Sequence, residues 1–127
     1  MLRNEYIGDE ISDKRRRYLD IKSPFTNGKV SEWADVEKLW QYTFDKKLKV
    51  SPSEVEGVLV TEAPGTRKED REQLVTIMFE TFQVKNMYVA LDAAMSLIAH
   101  GRTTGLVIDS GKDKTYSVPV FEGFAIP

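Results

Sequence analysis

The sequence predicts an α/β fold in which short apolar strands alternate with helices. Three strand-like runs, at residues 58–61, 87–90 and 106–108, are separated by segments in which apolar residues recur at helical spacing. Alternation of this kind favours parallel strands with helices packed on the sheet. The run 106–108 is uniformly apolar, which is typical of a strand covered on both faces.

The amino-terminal part differs from this pattern. Residues 18–22 alternate like a short, half-exposed strand, and residues 23–28 carry turn chemistry. The basic run 14–17 is interpreted as the solvated edge of that strand, or as a patch for nucleic acid or an acidic partner. Ser31 can then cap a helix that runs to about Lys47.

The apolar residues of this first helix form one stripe along it. Its members are Trp33, Val36, Leu39, Trp40 and Phe44. Core packing explains the stripe, although its aromatic content is also compatible with a ligand surface.

Two further helices are predicted between the strands. Thr66 followed by Glu69 forms a capping box, which begins a helix that ends near Phe82. The next helix ends at Gly101, a natural terminator. Residues 115–121 then form a fourth strand, antiparallel to the third. The apolar helix faces comprise Leu74, Ile77, Met78 and Phe82, and Leu91, Ala94, Met95 and Ile98.

Composition argues against several classes of function. The formal net charge of −2 does not indicate binding to nucleic acid or to an anionic membrane. The sequence has no cysteine, which excludes disulfides and thiolate chemistry and fits a reducing compartment. His100 is the single histidine, so a histidine-based metal site is not expected. No window approaches the ~18–20 apolar residues that span a bilayer.

Asp109 lies where the third strand is predicted to end, and ligands bind at this edge of parallel α/β sheets. A carboxylate there can hold the water shell of a hard cation, since Mg²⁺ needs only one or two such ligands. Gly111 would let backbone amides approach a phosphate closely. Asp109, Ser110 and Gly111 are therefore compatible with a phosphate loop, and also with the turn of an ordinary hairpin.

Several stretches resemble the actin family, in the order and with the spacing of that family. The sequence is therefore identified as a member of the actin family from Tyr6 to Pro127. The matching stretches are YIGDE at 6–10, WADVEKLW at 33–40, LVTEAP at 59–64, IMFETF at 77–82, MYVA at 87–90, GRTTG at 101–105 and VPVFEGFAIP at 118–127.

The resemblance implies a partial actin-like fold of the ribonuclease H-like ATPase class, with a mixed sheet, parallel βαβ units and flanking helices. Residues 1–30 would be a remnant of the small outer subdomain that bears the mobile loop, and residues 31–127 the outer base subdomain with the second phosphate loop. Actins bind ATP with Mg²⁺ or Ca²⁺ between two related halves. The first phosphate loop would lie upstream of Met1 and the adenine pocket downstream of Pro127. The chain is thus expected to be a fragment that carries one wall of the cleft.

The same resemblance assigns residues to the nucleotide. The binding positions would be Asp109, Ser110, Gly111, Lys112 and Asp113, with Asp109 holding the cation through water. The family has a second acid at the position of Lys112 and a second glycine at that of Asp113. Asp113 removes glycine's backbone freedom and brings a negative charge towards a phosphate, whereas Lys112 can pair with one.

Two catalytic positions also depart from the family pattern. Actins place a water-orienting glutamine where this chain has Asp92, and a histidine where it has Tyr116. ATP hydrolysis by the isolated chain is therefore not expected. Asp92 can be interpreted as a base that polarises water, or as an acid favoured by the dipole at a helix N-terminus.

A partner groove is implied as well, at Ile98, Gly101, Thr103, Gly123 and Phe124. The alternative for each is ordinary packing at the end of a strand or helix. The expected function is that of a divergent actin-like cytoskeletal protein of the cytoplasm, acting in filaments or with actin-binding proteins. The alternative is an actin-derived interaction module without nucleotide binding or hydrolysis. No partnership with nucleic acid and no membrane insertion is expected.

Overall fold

A computed structural model describes residues 5–11 and 16–126 of the chain. The chain divides into two compact units, Met1–Pro52 and Ser53–Pro127. A different boundary was expected from the sequence, between residues 30 and 31, where two actin subdomains would meet. That boundary stays a prediction. Lys14 and Arg15 of the basic run, and the terminal Pro127, lie outside the described residues.

The first unit contains a short 3-10 helix, Gly8–Glu10, and after it a small hairpin. β1 (Phe25–Thr26) and β2 (Lys29–Val30) pair antiparallel around Asn27 and Gly28. Both turn residues have positive φ, 52° for Asn27 and 70° for Gly28. Asn-Gly tolerates this conformation well, so the turn chemistry of this segment is confirmed.

A helix completes the first unit. α1 (Trp33–Tyr42) continues as a π-helical turn over Thr43–Leu48. Val36 and Phe44 of its apolar stripe are buried. The two tryptophans of the stripe are half-buried and pack edge to face, with ring centroids 6.4 Å apart. This burial favours core packing over a ligand surface.

Two predictions for the first unit were wrong. Residues 18–22 form no strand, and Tyr18 is 88% exposed, so packing does not hold that segment extended. Glu32 rather than Ser31 caps α1, its side chain accepting a backbone amide of the first turn. The Ser31 hydroxyl instead donates to Oγ1 of Thr26 in the hairpin, at 2.7 Å.

The second unit begins with a parallel β-α-β unit. β3 (Val58–Glu62) pairs in parallel with β4 (Met87–Leu91). The crossover is α2 (Lys68–Thr76), which is extended by a π-helical turn over Ile77–Thr81. This arrangement confirms the predicted α/β class.

The apolar face of α2 and of the π-helical turn after it is buried. Its predicted members Leu74, Ile77, Met78 and Phe82 are all no more than 6% exposed. The predicted capping box at the start of the helix was wrong. The Thr66 hydroxyl donates to the carbonyl of Ala63 at 2.7 Å and so closes the preceding turn, and α2 begins after Arg67.

α3 (Asp92–Ala99) follows β4 directly and lies against both sheets of the unit. Beyond it, Gly101 has a φ of 71°, the left-handed conformation expected of a helix terminator. β5 (Gly105–Ser110) and β6 (Thr115–Phe121) pair antiparallel as predicted, and β7 (Phe124–Ala125) pairs with β6. Across the described ranges, no helix is long and apolar enough to cross a membrane.

β5 differs from its prediction in two respects. It belongs to the sheet β5–β6–β7 and is not hydrogen-bonded to the parallel pair β3–β4. It is also covered on one face only, because α3 packs on the inner face around Ala93, Val118 and Val120. On the outer face Leu106 is 63% exposed and Ile108 68%. No described element covers that face, so the prediction of a strand buried on both sides was wrong.

Candidate functional site

Asp109 lies near the carboxyl end of β5, one of the three antiparallel strands of its sheet. Asp109 lies opposite Tyr116 on β6, and Ser110 lies opposite Thr115. Residues paired across a ladder point to the same face. Tyr116 packs against the inner-face core beneath α3, so the Asp109 side chain lies on that face too.

The turn after β5 is built as a hairpin. The Gly111 amide donates to the carbonyl of Lys114 at 2.9 Å. The Ser110 and Thr115 hydroxyl oxygens lie 2.8 Å apart. The Gly111 amide is therefore used inside the hairpin, and the role of this turn as a phosphate loop stays a prediction.

Lys112 and Asp113 are exposed in this turn. Asp113 does not have a positive φ, so the hairpin does not demand glycine's backbone freedom there. The cost expected from losing a glycine at this position is thus absent from the hairpin as built. The two residues would therefore affect a bound phosphate only through their charges, positive on Lys112 and negative on Asp113.

Tyr116 connects the two carboxylates of the site. Its hydroxyl donates to Oδ2 of Asp92 at 2.5 Å and lies 3.4 Å from Oδ2 of Asp109. The other Asp92 oxygen, Oδ1, accepts the amide of Ala93 at 2.6 Å. Asp92 is the first residue of α3, where the helix dipole favours an acid. The structure thus brings together the two positions that the resemblance to actins associates with hydrolysis.

The surroundings keep the Tyr116 phenol neutral. Burial raises the pKa of Tyr116 above its usual value of 10.0, and the Asp92 and Asp109 carboxylates raise this pKa further. The Lys114 ammonium lies 5.0 Å from the centre of the ring, in a cation–π arrangement. The neutral phenol is therefore a stable donor to Asp92.

Asp109 is the residue predicted to hold a cation. Asp109 is exposed and lies near the end of β5. Within residues 5–11 and 16–126, no three histidine, cysteine or acidic side chains cluster closely enough to hold a metal ion. An accessible carboxylate such as Asp109 fits Mg²⁺ that keeps its waters and is bound mainly by nucleotide phosphates.

The predicted partner groove lies where the loop after α3 meets the turn between β6 and β7. The Gly123 amide donates to the carbonyl of Thr103 at 2.8 Å, and the Glu122 amide to Oγ1 of Thr104 at 3.1 Å. Gly101 and Gly123 both have positive φ, and a Cβ at either position would meet open space. Ile98 and Phe124, the apolar members, are 48% and 78% exposed.

The protein-family model described as actin matches residues 2–127. The chain belongs to the actin family. The match spans both units and so confirms the resemblance seen in the sequence. Within this actin-family chain, the four residues interpreted above as departures from the family pattern lie in one hairpin and in the helix beside it. They are Asp92, Lys112, Asp113 and Tyr116.

Sequence reasoning did not find two residues of this candidate site. Lys114 directly precedes β6, and its ammonium lies over the Tyr116 ring. Residues two apart in an extended segment point to the same side, so the separation of Lys114 from Tyr116 was a usable signal. Thr115 contacts Ser110, and this pairing follows once the hairpin register is known.

Proposed function

We propose that this chain supplies one wall of an ATP–Mg²⁺ cleft in a divergent actin-like cytoskeletal protein of the cytoplasm. The observation that carries the proposal is the exposed Asp109 at the end of β5, in a chain that matches actin over residues 2–127. The neighbouring Lys112 offers a phosphate a cationic partner. Mg²⁺, when bound with the nucleotide, neutralises phosphate charge.

The two charges of the turn oppose each other. A unit charge ~4 Å from a phosphate charge contributes about 4 kcal/mol at an effective dielectric near 20. The attraction of Lys112 is therefore nearly offset by the repulsion of Asp113. Solvent reduces both effects because both residues are exposed. We infer that ATP binding by this chain is weak.

Calorimetric titration of ATP with Mg²⁺ into the chain tests this proposal. Asp113→Gly is expected to tighten binding and Lys112→Ala to weaken it, each by about three- to tenfold once screening is included. Lys85→Ala, which removes an exposed lysine of the loop before β4, is the matched control and should leave the affinity unchanged.

No phosphate release is expected in the same samples, because Asp92 and Tyr116 stand where the family has its water-orienting glutamine and its histidine. If neither Lys112→Ala nor Asp113→Gly changes ATP affinity, the phosphates do not lie at this turn. Absence of binding even for Asp113→Gly would favour the second candidate function.

The second candidate is an interaction module that binds actin subunits or actin-binding proteins without nucleotide chemistry. Two observations favour it. The Gly111 amide is used within the hairpin, and the hydrogen bond between Gly123 and Thr103 joins the two segments of the predicted groove. Phe124, with 78% of its surface exposed, would be the apolar anchor.

Cosedimentation with purified actin filaments tests this surface. Phe124→Ser is expected to weaken binding at least about tenfold, as the loss of an aromatic anchor does in protein interfaces. Tyr88→Ser is the matched control, because Tyr88 is also a largely exposed aromatic residue and lies on β4, outside the groove. Equal binding by both variants and the wild type would contradict a role for the groove.

A further inference from the structure

We propose that Tyr116 is a positioning residue that locks Asp92, its hydroxyl holding the carboxylate oxygen that would otherwise orient an attacking water. The functional meaning of this lock rests on the proposed ATP cleft. Its existence rests on the geometry of the helix, the hairpin and the two side chains.

Both oxygens of the Asp92 carboxylate already have protein donors. Oδ2 receives the Tyr116 hydroxyl at 2.5 Å, and Oδ1 receives the Ala93 amide at 2.6 Å. A general base must come within hydrogen-bonding distance of the water it activates. Each Asp92 oxygen has one of its two acceptor positions filled, and a water on Oδ2 would have to share that oxygen with the phenol.

The Tyr116 ring is held in place from several sides. It packs against the core formed by Ala93 and Val118, under the Lys114 ammonium. Its hydroxyl also lies 3.4 Å from Oδ2 of Asp109, so the phenol stands between two acids. Rotation of the ring away from Asp92 would expose apolar surface and leave the phenol without its strongest acceptor.

The two side chains are also matched in length. Aspartate is the shorter acidic side chain, and tyrosine carries its hydroxyl far from the backbone. Because the two oxygens are in hydrogen-bond contact, a longer acid at the Asp92 position would overlap the hydroxyl if it kept the same direction. It would have to take another rotamer or face a shorter side chain at position 116.

In the proposed cleft, the hydrogen bond from Tyr116 to Asp92 would affect ATP hydrolysis and leave ATP binding unaffected. Asp109 and Lys112 remain exposed and available to cation and phosphate. Asp92, the residue placed to orient water, is tied to the protein. A wall of this kind would hold a nucleotide without turning it over.

Carboxyl labelling of the full chain tests the lock without any nucleotide. A water-soluble carbodiimide with a glycine ester, followed by peptide mass spectrometry, measures how accessible each acid is. Asp92 should be labelled slowly in the wild type and several-fold faster in Tyr116→Phe. Tyr88→Phe is the matched control variant. Two other acids serve as internal references: Asp113, which is exposed, and Asp70, which is paired with Arg67. The labelling rate of each should be the same in the wild type and in both variants.

Nitration by tetranitromethane supplies a second readout, because this reagent attacks the phenolate. In the wild type Tyr116 should be nitrated at least about tenfold more slowly than Tyr88, since each pKa unit changes the phenolate fraction about tenfold. Asp92→Asn removes the charge of one of the two neighbouring acids and should speed the nitration of Tyr116, while the part of the protection that comes from burial remains. This arm does not depend on whether Tyr116→Phe folds.

Equal labelling of Asp92 in the wild type and in folded Tyr116→Phe would overturn the lock. Nitration of Tyr116 as fast as that of Tyr88 in the wild type would overturn it too. If both labelling results hold but ATP does not bind, the proposed cleft fails and the lock stands. The two proposals are thus decided by different measurements.

Discussion

Replacing Met78 by alanine is expected to lower the free energy of unfolding by about 2–5 kcal/mol, the cost typical of truncating a large buried side chain. Met78 is 2% exposed and lies in the π-helical turn after α2. Its carbonyl also accepts the amide of Val84 at 3.1 Å, which fixes the chain as it leaves the helix. Because the backbone is held on both sides, the cavity left by the substitution has little freedom to collapse.

Phe79→Ala is the matched control, since the neighbouring Phe79 is 44% exposed. We expect it to cost less than about 1 kcal/mol, as most substitutions outside the core do. Urea unfolding followed by circular dichroism measures both variants. A loss for Phe79→Ala as large as that for Met78→Ala would contradict the assignment of this core.

Raising the pH above about 10 is expected to destabilise the protein through Tyr116. The pKa of Tyr116 is raised in the folded state, so folding favours the neutral phenol. This contribution is fully present below the unfolded pKa of the phenol, and it is lost as the pH rises through the folded pKa. Tyr116→Phe has no phenol at this position, so its free energy of unfolding should fall less above about pH 10 than that of the wild type.

At pH 7, Tyr116→Phe is expected to lower the free energy of unfolding by about 1.5 kcal/mol, the lower end for a hydrogen bond to a charged group. A double-mutant cycle with Asp92→Asn separates this bond from packing. Coupling of about 1 kcal/mol is expected, because the two side chains are in direct contact. Additive effects would show that the phenol and carboxylate do not act together. Tyr88→Phe, at an exposed site, should show neither effect.

The elements that depend on local pattern could be predicted from the sequence. Alternating strands and helices indicated the pair β3–β4 with its crossover, and the apolar spacing around Met78 identified the core of α2. The exposure of Leu106 and Ile108 could not be predicted, since an apolar strand has the same sequence whether or not a second layer covers it. The capping box at Thr66 failed because its hydroxyl had an equally local alternative in the preceding turn.

The sequence allowed the residues of the candidate site to be predicted, but not the contacts between them. Asp109 and Tyr116 could each be placed on neighbouring strands. The bond from Tyr116 to Asp92 could not be predicted, because it depends on the register of the hairpin and on α3 beginning immediately after β4. These are tertiary facts, and no periodicity in the sequence encodes them.

The bond between Asp92 and Tyr116 also has a consequence for the order of folding. β5 and β6 are joined by the short turn 111–114, so they can pair quickly through contacts that are close in sequence. β3 and β4 must wait for the crossover 63–86 to form before they align. Asp92 directly follows β4, which belongs to the slower parallel pair, and Tyr116 lies on β6, which belongs to the faster hairpin. The hydrogen bond therefore closes only after both have formed, so protection of the Tyr116 phenol should be among the last signals to appear during refolding.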